Sequence, residues 1–145
     1  MSRAEKAKEY FLQGYNCSQS VALAFADLTG LDETTLLKLT QPFGGGLGRL
    51  RLTCGAVSGM AVIVGLLSSD TATKSDVYAT IQTLCKRFEE ENGSLICSDL
   101  LAGANLTVSI GGEAEKRTEE YYKKRPCPEI VYSCAKILEE YLNYR

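Results

Sequence analysis

Six cysteines and no histidine set the chemistry open to this chain. Without imidazole there is no Ser-His-Asp or Cys-His nucleophile, no zinc site with nitrogen ligands and no Cys-x-x-Cys-His haem attachment. What remains is thiol chemistry: exchange between dithiol and disulfide, or a site ligated by thiolates alone. No two cysteines are spaced C-x-x-C, so the thioredoxin, ferredoxin and zinc-ribbon spacings are absent. Any shared site has to be assembled from distant segments.

Four of the cysteines fall at predicted helix starts. Cys17 follows Asn16, Cys54 follows Thr53, Cys127 precedes Pro128, and Cys97 lies in the first turn of a short helix opening at Ser94. A helix N-terminus presents free N–H groups and a partial positive charge, and both stabilise a thiolate. Arg49 and Arg51, close in sequence to Cys54, are expected to act in the same direction. The four positions are separated by 37, 43 and 30 residues, that is, by whole helices. Antiparallel helices return a chain to the same end of a bundle after every second helix, so the four thiols are expected to meet at one end. Cys85 lies in mid-helix on an apolar stripe and reads as a small core residue. Cys134 is two turns, about 10 Å, along the last helix from Cys127 and is expected outside the set; the sequence leaves it between core and site.

The stretch QPFGGGLGRLRLTCGAVSGMAVIVGLL, residues 41–67, carries four glycines in five positions just before Cys54. A Walker A loop needs a lysine after its glycines, and a dinucleotide fingerprint needs a third glycine and a preceding strand. Neither is present. The open readings are a flexible turn into a buried helix and a loop that leaves room beside a reactive sulfur.

The elements that must position these residues read as helices. Ser2 with Glu5 forms a capping box for a first helix whose inner face is Ala4, Ala7, Phe11 and Leu12. A second runs from Cys17 to about Leu28, with Asn16 as N-cap. A third begins at Asp32. The fourth, Cys54 to Leu67, is apolar nearly all round and is expected to be central and buried, with Gly55 and Gly59 permitting close approach of a neighbour. Ser75 is the predicted cap of a fifth, ending at Gly93, and Ser94 opens a short one through Leu101. Residues 102–112 read as a loop with a brief extended piece at Leu106 to Ile110. Glu113 to Lys124 reads as a polar helix, with Lys123, Lys124 and Arg125 on a solvated face. The last helix starts at Pro128 and runs to about Tyr141. The expected fold is all-α, a single-domain bundle of about six to seven helices over residues 1–145.

Bulk properties narrow the classes further. At 145 residues, 45% hydrophobic, the chain can bury about 70% of its unfolded surface and needs no metal or disulfide merely to fold. A net charge of −2 and a pI near 5.3 argue against a nucleic-acid surface. The longest apolar run, Ala56 to Leu67, is 12 residues, short of the roughly 20 a membrane span needs. The N-terminus is charged and amphipathic rather than a signal peptide. A cytoplasmic location is expected, where clustered cysteines are metal-binding or redox-active rather than structural disulfides.

The order Cys17, then Cys54-Gly55-Ala56-Val57-Ser58-Gly59, then Cys97, then Cys127 resembles the redox-active family labelled C_GCAxxG_C_C. The label writes Gly before Cys, whereas this chain reads Cys54-Gly55. The resemblance runs from GYNCSQSVALAF through FGGG to the final cysteine and helix. It implies a redox role for Cys17, Cys54, Cys97 and Cys127, as reactive thiols or as metal ligands, and supplies neither substrate nor reaction. A related segment is similar to the non-haem part of split-Soret cytochromes, where cysteines bind an iron–sulfur centre. On this reading the glycine loop clears space and supplies N–H groups around the Cys54 sulfur or a cluster it binds, with Gly45, Gly46 and Gly55 as cofactor-contacting positions.

Two classes of function follow. One is a redox protein, with the cysteines as iron–sulfur ligands or as a dithiol–disulfide couple. The other is a non-redox helical module holding a structural zinc ion on four thiolates or merely packing its cysteines. The residues identify no redox partner or substrate, and leave enzyme activity and a homo-oligomer open.

Overall fold

The computed structural model describes residues 1–144. Among these residues the architecture is all-α, with nine helices and no strand. Seven of the helices span seven residues or more.

Helix α1 (Arg3–Leu12) is fixed by the expected capping box: the Ser2 hydroxyl accepts from the Glu5 N–H, and the Glu5 carboxylate accepts from the Ser2 N–H. Helix α2 (Cys17–Leu23) starts in the same way, through Asn16 and Gln19. It is shorter than expected, because the chain turns at Ala24 and Phe25 before resuming as α3 (Ala26–Thr29). Phe25 is thereby brought fully into the core. Helix α4 (Glu33–Thr40) is capped by Asp32 and leads through a 3-10 turn, Gln41–Phe43, into the glycine loop.

Helix α5 (Gly55–Leu67) is the buried central element, with Ala56, Met60 and Ile63 excluded from solvent. It packs mainly on α2. A Cβ on Gly59 would lie 2.4 Å from the carbonyl oxygen of Ser18, and one on Gly55 would lie 3.3 Å from the Cβ of Cys17. The small residues therefore set how closely these two helices cross.

Helix α6 (Lys74–Asn92) begins earlier than expected. Thr73, not Ser75, is its cap, because Asp76 stands three residues on and completes a reciprocal pair of bonds. Helix α7 (Cys97–Gly103) follows, then residues 104–118 without regular structure. Of the polar helix expected from Glu113, only α8 (Glu119–Lys124) forms, capped by Thr118. Helix α9 (Cys127–Tyr144) closes the bundle, packing mainly on α1 and inserting Val131, Ala135, Ile137 and Leu138 into the core. No helix among the described residues is long and apolar enough to cross a membrane.

The extended pairing occurs elsewhere than expected. Leu106 to Ile110 forms no strand. Instead, Thr53 pairs with Ile96 as an isolated antiparallel bridge. The Cys54 N–H donates to the Leu95 carbonyl at 2.8 Å, and the Cys97 N–H donates to the Leu52 carbonyl at 2.6 Å.

Candidate functional site: a thiol cavity under an arginine cluster

That short antiparallel contact joins the segments that lead into Cys54 and Cys97. Cys54 is the N-cap of α5 and Cys97 the first residue of α7, while Cys17 and Cys127 open α2 and α9. All four cysteines line one cavity of about 60 Å³, together with Gly45, Gly46 and Gly55. That is room for a few water molecules. Cys134 does not line it. Its sulfur is fully buried, donating to the Ala56 carbonyl at 3.3 Å and lying 3.8 Å from the Met60 sulfur. Cys85 is half-buried on the edge of the core and also lies away from the cavity.

The glycine loop has an unusual backbone. Gly45, Gly46, Leu47, Gly48 and Arg49 all have positive φ in succession, and Arg51 does also. Left-handed conformation costs about 1–2 kcal/mol for each residue other than glycine, and such strain concentrates at functional sites. The loop holds itself: the N–H groups of Leu47 through Leu52 all bond to carbonyls between Pro42 and Leu47. They are therefore spent within the loop and do not serve the Cys54 sulfur. The N–H groups that favour a Cys54 thiolate belong to Ala56 and Val57, in the first turn of α5, although neither makes a capping hydrogen bond to its side chain. What the glycines provide is clearance, for Asn16 at Gly44, for Arg49 at Gly45, and for the Leu52 backbone and Cys97 at Gly46. A Cβ on Gly46 would lie 2.7 Å from the Cβ of Cys97.

Helix starts do not by themselves make these thiols acidic. Burial is the largest influence on Cys54 and pushes it up to about 12, against the lowering effect of its two N–H contacts. Burial likewise raises Cys97, although Arg51 opposes it. Cys17 and Cys127 are a coupled pair. Hydrogen bonding between them is the largest influence on both, holding Cys17 well above the usual thiol range and Cys127 below it. The charges of Arg125, Arg117 and Arg51 also favour a Cys127 thiolate. Of the two, Cys127 is the one shifted towards the thiolate and Cys17 the one shifted towards the thiol.

Arg49 and Arg51 were expected near the thiols, whereas Arg117 and Arg125 were not. Arg51 lies beside Cys97, its Nη1 3.8 Å from the sulfur, rather than beside Cys54. Arg49 is directed to the irregular segment, donating to the Gly111 carbonyl and the Ser109 hydroxyl, both at 3.1 Å. Arg117, from the stretch expected to be helical, donates to the carbonyls of Phe11 and Tyr15 at 3.1 Å and sits 4.3 Å from the Phe11 ring centre. Arg125 is not on a solvated face: its side chain is 7% exposed, bonded to Glu115 and stacked 5.0 Å from the Tyr121 ring. Lys123 and Lys124 do face solvent. The signal that was available is the alternation of Arg117, Tyr121 and Arg125 at helical spacing, all on the face of α8 and its approach that meets the cavity.

The donor set suits an all-thiolate centre. Among the described residues, however, no three His, Cys, Asp or Glu side chains are grouped so as to hold a metal ion. As placed, the four thiols line one cavity, with Arg51 beside Cys97 and the strongest mutual influence between Cys17 and Cys127.

No curated protein and no solved structure gives a significant match to the chain. The family model described as "Putative redox-active protein (C_GCAxxG_C_C)" matches residues 15–141, a span containing all four cavity cysteines, and the chain belongs to that family.

Proposed function

We propose that the protein is a two-electron thiol redox carrier working through Cys17 and Cys127. The single observation that carries this reading is that Cys17 and Cys127 line one cavity, where their mutual influence shifts the Cys17 thiol up and the Cys127 thiol down. A thiolate is the attacking species in disulfide exchange, and a neighbouring thiol resolves the mixed disulfide. Cys127 attacks a sulfur of an incoming disulfide, forming one S–S bond and releasing one thiolate. Cys17 then loses its proton and attacks Cys127, releasing the second thiolate. The Cys17–Cys127 pair has given up two electrons and one proton, and the incoming disulfide has gained the two electrons. In the reducing cytoplasm expected for this chain, the resting form is the dithiol.

A second reading is an iron–sulfur centre on Cys17, Cys54, Cys97 and Cys127. The observation that favours it is that all four line one cavity bordered by Arg51, Arg117 and Arg125, whose charges would offset a thiolate-ligated cluster.

Anaerobic purification followed by titration in graded thiol–disulfide buffers tests the two together. The carrier reading expects colourless protein without stoichiometric iron or acid-labile sulfide, and a single transition in which two thiols per chain disappear. Stoichiometric iron and sulfide would replace it with the cluster reading.

A further inference from the structure

Outside the thiol cavity lies an open cleft of about 330 Å³. The two share Asn16, Gly45, Arg51, Arg117, Tyr121 and Arg125 as lining residues, so the cleft is the approach to the thiols from that side. Arg49 joins the three cavity arginines there, and Glu115 is the single carboxylate that lines it. Glu115 is shared. It bonds to Arg125 and lies 3.9 Å from both Arg49 and Arg51. Four guanidinium charges thus face one carboxylate across the cleft.

These are not solvated surface arginines. The side chains of Arg49, Arg51 and Arg125 are 14%, 6% and 7% exposed. Their guanidinium groups are fixed by bonds to Gly111, Ser109, Cys97 and Glu115, yet among the described residues Nη1 of Arg49, Nη2 of Arg51 and Nη1 of Arg125 make no hydrogen bond. The Gly45 N–H, in the left-handed run at the cleft wall, likewise has no partner among those residues. Successive N–H groups in such backbone form concavities suited to anions, and fixed guanidinium forks recognise oxyanions with paired bonds.

We propose that this cleft binds a small, multiply charged oxyanion, held by Arg49, Arg51, Arg117 and Arg125 with its nearest atoms over the thiol cavity. The shared chemistry is that of phosphate and carboxylate groups. The site does not depend on the thiol couple, but it would select the molecules that reach it.

Isothermal titration calorimetry of the reduced full chain at low ionic strength tests the proposal, with pyrophosphate in one arm, succinate in the other, and sodium chloride of matched ionic strength as control. One-to-one binding of at least one of the two anions is expected, and the arm that responds tells phosphate from carboxylate. Arg49→Gln, whose fold is checked by circular dichroism, is expected to weaken it at least tenfold. Lys123→Gln, on the exposed face of α8, and the double substitution Cys17→Ala with Cys127→Ala are expected to retain it. Retention in the cysteine variant separates this site from the redox reading. The proposal is overturned if neither anion binds, or if Arg49→Gln and Lys123→Gln lose binding equally.

Discussion

The Arg51 guanidinium lies 3.8 Å from the sulfur of Cys97, across 46 residues of sequence. Both ends of this contact are locally constrained. Arg51 has a φ of 61°, a left-handed conformation for a residue other than glycine. Cys97 is fixed by its N–H bond to the Leu52 carbonyl. Burial raises the Cys97 thiol and Arg51 lowers it, so removing the guanidinium leaves burial unopposed. Arg51→Gln is expected to raise the Cys97 pKa further and to slow its alkylation at pH 8 several-fold. Mass-resolved labelling checks this; an unchanged Cys97 rate would show that the contact has no electrostatic consequence.

Much of the frame was legible because it rests on local chemistry. The Ser2–Glu5 box and the Asn16 cap set two helix starts, and the apolar run after Cys54 marked the central helix. Boundaries were missed where a competing local pair won, as when Asp76 selected Thr73 over Ser75. The surroundings of the thiols were less legible. A positive φ at Leu47, Arg49 and Arg51 has no signature in those residue types. It is imposed by the bonds the loop closes on itself and by the arginine contacts with Ser109 and Gly111. Arg125 looked solvated and Arg117 drew no reading of its own, because their burial depends on Phe11, Tyr121 and Glu115, distant in sequence or noncommittal in pattern.

The α2–α5 crossing makes a paired prediction. Gly59→Ala places a Cβ against the Ser18 backbone, and backbone cannot swing aside; a loss of about 1–3 kcal/mol is expected from overpacking. The Ser18 hydroxyl, buried at the same contact, has no hydrogen-bond partner among the described residues. Removing an unsatisfied buried group relieves its desolvation cost, so Ser18→Ala is expected to be neutral or stabilising by up to about 1 kcal/mol. Urea denaturation of the two variants checks both signs.

The remaining cysteines are expected to separate by burial. Cys134→Ala removes a fully buried sulfur in contact with Ala56 and Met60, at a cost of about 1–2 kcal/mol from lost burial and a lost hydrogen bond. Cys85→Ala, at the half-buried edge, is expected to cost less. Both should keep the same two-thiol redox transition. A shifted midpoint in Cys134→Ala would bring that residue into the site.

Stability is expected to fall at high pH. Burial holds Cys54 protonated up to about 12 in the folded chain, against an ordinary value of 9.0. The folded state thus keeps a proton that the unfolded state releases above that value. The resulting stabilisation is complete below pH 9 and is lost as pH rises towards 12. One such group contributes a slope of about 1.4 kcal/mol per pH unit. Cys54→Ala is therefore expected to flatten the decline in ΔG of unfolding between pH 9 and pH 10.5 relative to the parent chain.

The most direct measurement is the identity of the bond that forms on oxidation. The reduced, metal-free chain is treated with oxidised glutathione, remaining thiols are alkylated, and peptides are mapped without reduction. A Cys17–Cys127 linkage is expected, with Cys85 and Cys134 carrying the alkyl label and with no such linkage in Cys127→Ser. Alkyl label on both Cys17 and Cys127 in the treated protein, or a bond joining Cys54 to Cys97 in their place, would contradict the assignment of the redox couple.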